Sequence, residues 1–288
     1  MGNETMGNET GKKRKNKVWL ILALVLLVIA VICGIFCFYQ YTQKKAKEKA
    51  LEELADSTKP DESAQPETEA EPKTYTYAEK VQYFKDTYGI DVPEKDIDFD
   101  DLTANTNPDI YAWIVVPNTK VDYPVLQHAG EADYYLMRNL DGSTGYPGCL
   151  YTDDYNAKDF SDRMTVIYGH NMKDGSMFKG LHKFEDSEFF DANPYFFIYT
   201  PDDVKVYKIF AAHRFSNTNL VLNFDWTVDG IFLNFLDEMV NDNEMGANTR
   251  PDTEFSTDSK VVTLSTCVAN DDTARYIVQG VELAHDWQ

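Results

Sequence analysis

The 288-residue sequence predicts a mainly β fold, a barrel of about eight strands with short helices before it and one long helix between late strands. Three observations carry that expectation. Apolar runs of strand length, rich in Tyr, Val, Ile, Phe and Thr, recur between turn signals at 110–116, 120–127, 149–151, 164–170, 195–200, 204–212, 260–267 and 275–284. Val228, Ile231, Phe232, Phe235, Leu236, Met239 and Val240 instead follow the i, i+3, i+4, i+7, i+8 spacing of an amphipathic helix. Residues 77–103 mix aromatic and charged side chains as a short helix or two would. Hydrophobic residues make up 43% of the chain, enough to fill a core.

Ahead of this body the chain reads as tail, anchor and tether. Residues 1–17 hold five basic side chains against Glu4 and Glu9. Residues 18–39, VWLILALVLLVIAVICGIFCFY, contain no charge. A helix of that length spans roughly 33 Å, matching a bilayer core of about 30 Å. The run is long for a cleavable signal and lacks an A-x-A-like cut site, and Ile32 before Cys33 is too large for a lipoprotein signal. An uncleaved transmembrane anchor is expected. Its short basic N-terminal flank predicts a cytoplasmic N-terminus, and a long C-terminal body translocates largely regardless of charge. Residues 40–74 form the linker, and 56–73 are rich in Pro, Glu, Ser and Thr with no large apolar side chain, as a flexible tether is. The body, 75–288, is therefore expected outside a cell membrane that the chain crosses once.

Charge narrows the partners. The net charge of −21 conceals +3 on residues 1–17 and +3 on 44–49, leaving −27 on 50–288. A body so acidic lacks the clustered Lys and Arg that phosphate contacts need, which excludes nucleic acid. The two basic clusters flanking the apolar run suit anionic lipid headgroups, making membrane lipid a partner.

One group of residues carries chemistry. In KVVTLSTC (260–267), strand alternation puts Val261, Thr263, Ser265 and Cys267 on one face and Val262, Leu264 and Thr266 on the other. Cys267 ends the strand, a polar turn follows, and Arg275 opens RYIVQGVEL. If the two strands form a hairpin, Arg275 lies close to Cys267 across the ladder. A guanidinium there favours a thiolate and can hold the oxyanion of an acyl-transfer intermediate. His170 closes MTVIYGHN, another apolar run leading into a turn, where a side chain can face a cleft. On spacing alone, packing or solvated roles for these three residues stay open.

TLSTC followed eight residues later by an Arg-led strand, with YGHNM about a hundred residues upstream, resembles class B sortases, the cysteine transpeptidases of Gram-positive bacteria. The likeness extends through DIYAWIVVPNTKVDYPVLQ (109–127), DYYLMRN (133–139), GCLYTDDYN (148–156) and TVIYGHNMKDGSMFKGLHKF (165–184), and so covers essentially the whole body. It implies a sortase-type eight-stranded barrel. It also implies that the Cys267 thiolate attacks a Thr carbonyl in the sorting motif of a secreted protein, that His170 protonates the leaving amine, and that an amine of peptidoglycan resolves the thioester. Arg275 would hold the motif or the oxyanion. Ser265 matches a substrate-contacting position, and Leu136 and Tyr151 are weaker candidates for the groove. The resemblance implies no metal and no organic cofactor. A surface cysteine peptidase that only hydrolyses, and a non-catalytic binding module, are the competing readings.

The remaining candidates read as structure. Cys149, between Pro-Gly and Leu-Tyr, suits a small buried strand residue, although a bridge to Cys267 stays open. His128, His182, His213 and His285 show no tight ligand spacing, so no metal site is expected. Paired aspartates such as Asp153–Asp154 have the character of turn residues. Asp271 and Asp272, in the turn before Arg275, are candidates to orient His170.

Overall fold

The computed structural model describes residues 34–39, 42, 75–242 and 245–287. The basic tail and nearly all of the expected anchor and linker lie outside the described residues; 34–39 are helical and exposed. No helix among the described residues is long and apolar enough to cross a membrane. The chain divides into two units, Met1–Glu71 and Pro72–Gln288, and the second contains the whole barrel.

The body opens with helix α1 (Tyr77–Tyr88), whose start is fixed by reciprocal capping. The Glu79 amide donates to Thr76 Oγ1 and the Thr76 amide to Glu79 Oε2. Gly89, at φ 69°, ends it in the left-handed region that a side chain would strain. Strands follow at β1 (Ile110–Val115), β2 (Asp122–Leu126), β3 (Leu150–Thr152), β4 (Met164–Tyr168), β5 (Tyr195–Tyr199), β6 (Val204–Ser216), β7 (Asn248–Thr249), β8 (Val261–Val268) and β9 (Asp271–Glu282).

They pair in the order β5-β1-β2-β3-β4-β8-β9-β6-β7, and pairing of β5 with β6 closes eight strands into a barrel with β7 outside it. The β2–β3 and β4–β8 pairs are parallel; all the others are antiparallel. Alternate residues of the wall point inward, where Ala112, Ile114, Val125, Leu150, Ile167, Ile198, Tyr207, Val262, Leu264, Tyr276 and Val278 build one core. The expected alternation along β8 holds, with Val262 and Leu264 inside and Val261 outside.

Two satellite cores cover the outer surface. Phe84 of α1 and the segment after it pack on Phe197, Tyr199, Val204 and Val206. Helix α2 (Asp229–Val240) lays Phe232, Phe235, Leu236, Met239 and Val240 on Met164, Val166, Ala211, Val261, Ile277 and Val281. Burying five large side chains from a two-faced helix holds it far more firmly than intrinsic propensity would. The helix thus seals one end of the outward β4–β8–β9 surface, while Cys267 at the other end remains exposed.

Several boundaries differ from the sequence expectation. Strand β6 runs four residues past 212 because His213, Arg214, Phe215 and Ser216 keep pairing with β9. The polar segment before Arg275 is mostly strand rather than turn: only Ala269 and Asn270 link β8 to β9, and a register shift after Cys267 absorbs the extra β9 residues. Asn270 takes φ 62°, which the short asparagine side chain tolerates. The two-residue β7 has no counterpart among the expected strands.

Candidate active site

Cys267 and Arg275 are direct cross-strand partners, so their side chains share the outward face of the β8–β9 hairpin. One rung below, Ser265 pairs with Ile277 and also with Tyr168 of β4. Gly169 N donates to the Ser265 carbonyl at 3.1 Å, and Thr266 Oγ1 donates to the Gly169 carbonyl at 2.7 Å. Continuing the parallel register by two residues sets His170 level with Cys267. The β8–β9 hairpin and β4, about a hundred residues upstream, thereby bring Cys267, Arg275 and His170 to one end of one surface.

The guanidinium is uncommitted to any carboxylate among the described residues. Its Nη1 donates to the main-chain oxygens of Ala274 at 3.0 Å and Asp272 at 3.4 Å. A cation held by neutral oxygens beside a thiol keeps most of its charge for an incoming anion.

His170 is oriented by a loop on the other side. Its Nε2 lies 2.6 Å from the Leu136 carbonyl, which only accepts, so Nε2 carries the proton and Nδ1 is bare in the neutral ring. The Tyr146 ring packs against the imidazole at 4.9 Å. No hydrogen bond joins this ring to Cys267. Neither Asp271 nor Asp272 hydrogen-bonds this ring: Asp271 bonds Arg214 and Thr273, and the main-chain oxygen of Asp272 accepts from Asn217 and Arg275. Of the expected groove residues, Leu136 is 36% exposed, whereas Ser265 and Tyr151 are buried at 6% and 5%.

The two body cysteines are both free thiols. Cys149 is buried, its Sγ donating to the Arg138 carbonyl at 3.3 Å, and burial raises its thiol to about 12. That burial disfavours the Cys149 thiolate and leaves Cys267 as the exposed thiol of the body.

The structure adds residues that the sequence reading passed over. Asn171 Nδ2 donates to the Cys267 carbonyl at 2.8 Å and sits 3.0 Å from His182 Nε2. His182 Nδ1 in turn donates to Glu185 Oε1 at 2.6 Å. Asp153, after β3, is 3% exposed, and burial raises its carboxyl to about 6 despite a bond from Asn219 Nδ2 at 3.3 Å. The nearby Tyr168 hydroxyl, which makes no hydrogen bond of sound geometry, offsets part of that burial. The visible signal for Asn171 was its place in YGHNM, next to His170; its role became legible only through the β4–β8 register.

Comparison with known proteins agrees with this arrangement. A sortase domain is matched over residues 114–283. Sortase B of Listeria monocytogenes is 31% identical over 176 residues, covering 60% of this chain and 70% of that one. Among solved structures, Clostridium perfringens sortase B superposes with a TM-score of 0.57 at 25% identity, covering 65% of this chain and all (100%) of that one. A Streptococcus pyogenes class B sortase involved in pilus biogenesis superposes with a TM-score of 0.55 at 28% identity, covering 66% of this chain and 100% of its own. A closed barrel with this strand order, an exposed cysteine paired to an arginine at its rim, and a family match across most of the body lead to one conclusion: the chain belongs to the sortase family, in class B.

Proposed function

We propose that this protein is a membrane-anchored cysteine transpeptidase that cuts the C-terminal sorting motif of secreted proteins after Thr and transfers them to an amine of peptidoglycan. The observation that carries this reading is the exposed Cys267 paired across the ladder to an Arg275 that no carboxylate among the described residues neutralises.

The steps follow from the chemistry of the three groups. Cys267 gives its thiol proton to the bare Nδ1 of His170, its sulfur attacks the Thr carbonyl, and the oxyanion that forms draws on the Arg275 guanidinium. Collapse breaks the peptide C–N bond and leaves a thioester on Cys267, while His170 gives a proton to the departing amine. The acceptor amine then attacks the thioester and passes a proton back to His170, and the sulfur leaves. No cofactor is consumed. Before substrate arrives, Nε2–H of His170 is held by the Leu136 carbonyl; a peptide entering beside exposed Leu136 competes for that proton. Residues 18–39 anchor the enzyme with its N-terminus inside and the barrel outside, a reading supported by 22 uncharged residues between two basic clusters.

A library of Asn-Pro-x-Thr-like sorting peptides, incubated with the full chain with and without an added amine, tests the proposal. Amine-dependent transfer product is expected from the parent and none from Cys267→Ala. Hydrolysis unchanged by amine would replace the transferase by a peptidase, and full activity in Cys267→Ala would end the reading altogether.

A further inference from the structure

Strand β4 ends at Tyr168, and the chain turns away after His170, where Asn171 bridges back to Met177. Strand β8 continues to Val268, so its parallel neighbour runs out just where the nucleophile sits. In a parallel ladder, the Gly169 amide on the Ser265 carbonyl would be followed by the Asn171 amide on the Cys267 carbonyl. The Asn171 side chain supplies that rung instead, Nδ2 donating to the Cys267 oxygen at 2.8 Å.

The same amide is held from behind. His182 Nδ1–H is committed to the Glu185 carboxylate at 2.6 Å, so the neutral ring turns a bare Nε2 toward Asn171 Nδ2 at 3.0 Å. Both hydrogens of the Asn171 amide then have acceptors, one on Nε2 and one on the Cys267 carbonyl. His182 Nε2 also stands 3.2 Å from that carbonyl oxygen, a contact that is a hydrogen bond only when Nε2 carries the proton. The ring is fixed by stacking on Tyr276 at 5.0 Å, and its side chain is only 13% exposed. Tyr276 is itself the β9 partner of Thr266, the residue before the nucleophile.

We propose that Asn171, aligned by the Glu185–His182 pair, is a positioning residue for the nucleophile: its side-chain amide extends the β4–β8 ladder by one rung and fixes the peptide plane of Cys267, and hence its sulfur. The inference rests on Cys267 being the nucleophile proposed above. Small departures from attack geometry are costly, a displacement of about 1 Å being worth up to roughly a hundredfold in rate. A role in orientation alters turnover rather than substrate affinity or the intrinsic reactivity of the thiol.

Three variants of the full chain separate this from a structural role. Asn171→Leu removes the amide while keeping the forked shape, His182→Phe keeps the stack on Tyr276 without ring nitrogens, and His182→Gln restores an acceptor for Asn171. Asn171→Leu and His182→Phe are expected to lower kcat for sorting-peptide transfer about tenfold to a hundredfold. KM, Tm and the rate of Cys267 alkylation by iodoacetamide stay at parental values, and His182→Gln recovers most of the turnover. Nitrogen-15 spectra of the parent should show His182 protonated at Nδ1 and bare at Nε2, with that pattern changed by Glu185→Gln. Parental kcat in His182→Phe, or losses in kcat matched by losses in Tm that His182→Gln does not rescue, would overturn the inference. So would an Nε2–H tautomer of His182, which is read without any turnover; an inactive parent with the expected tautomer would count against the transpeptidase alone.

Discussion

Asp153 makes a quantitative test of the electrostatics beside the site. Its carboxyl is buried near Asp133 and Asp154, and burial, the largest influence, lifts it from 3.8 to about 6. A folded-state value above the unfolded one means that the folded protein holds the proton more tightly. The contribution of this group to stability is then fully present below about pH 4 and is lost as pH rises through about 6, where the native state must ionise a buried group. A shift of about two units corresponds to about 3 kcal/mol at roughly 1.4 kcal/mol per unit. Screening by polar neighbours and nearby water brings the expected value to about 1–2 kcal/mol. Asp153→Asn keeps the shape and an acceptor for Asn219 while removing the ionisation. Urea unfolding followed by tryptophan fluorescence should give equal stabilities for parent and variant near pH 4. The variant should then lead by about 1–2 kcal/mol at pH 7, with a Tm higher by about 2–8 °C for a domain of this size. A parent–variant difference that stays constant from pH 4 to 7 would refute the reasoning, because it would show that Asp153 titrates alike in both states.

Two further perturbations probe the walls of the site. Gly169→Ala would drive a Cβ into the Leu150 side chain and to within 2.7 Å of Phe178 Cδ2, so the turn carrying His170 must shift. A stability loss of about 1–3 kcal/mol by urea denaturation is expected, with a fall in transfer rate but no change in iodoacetamide reactivity of Cys267. Replacing Arg275 by Ala should cost about a hundredfold to a thousandfold in kcat, the range for removing one oxyanion donor, with a lesser loss in Arg275→Lys, which keeps the charge without the planar fork. Equal activity in Arg275→Ala and the parent would remove Arg275 from the chemistry.

Much of this protein was readable as a string because its signals are local. The period of two along 260–267 and the period of 3.6 along 228–240 assign each side chain to a face using neighbours a few residues away. Those faces are buried over most of their length, with Val262 and Leu264 inside the barrel and Phe232, Phe235 and Leu236 on the covered side of α2. Val228 and Ile231, at the start of that helix, stay exposed. The nearness of Cys267 to Arg275 was likewise legible, since a hairpin brings its own arms together whatever the details of its turn. Those details were hidden: the polar residues before Arg275 pair as strand, because a register shift after Cys267 takes up the extra residues, and no local preference announces such a shift. Strand β7 escaped for a similar reason, being two residues that exist only through pairing with Ala211 and Ala212.

What tertiary structure alone decided is the lateral assembly of the site. The β4–β8 pairing joins segments about a hundred residues apart, and parallel pairing carries no turn signature at all. From it follow the level of His170 beside Cys267, the service of Asn171 as a missing rung, and the alignment of His182 and Glu185 behind it. The burial that lifts Asp153 also arises from strands and loops remote in sequence. Local sequence sets which face a side chain takes; which distant face it then meets depends on closing the barrel, a matter of non-local hydrogen bonds and packing.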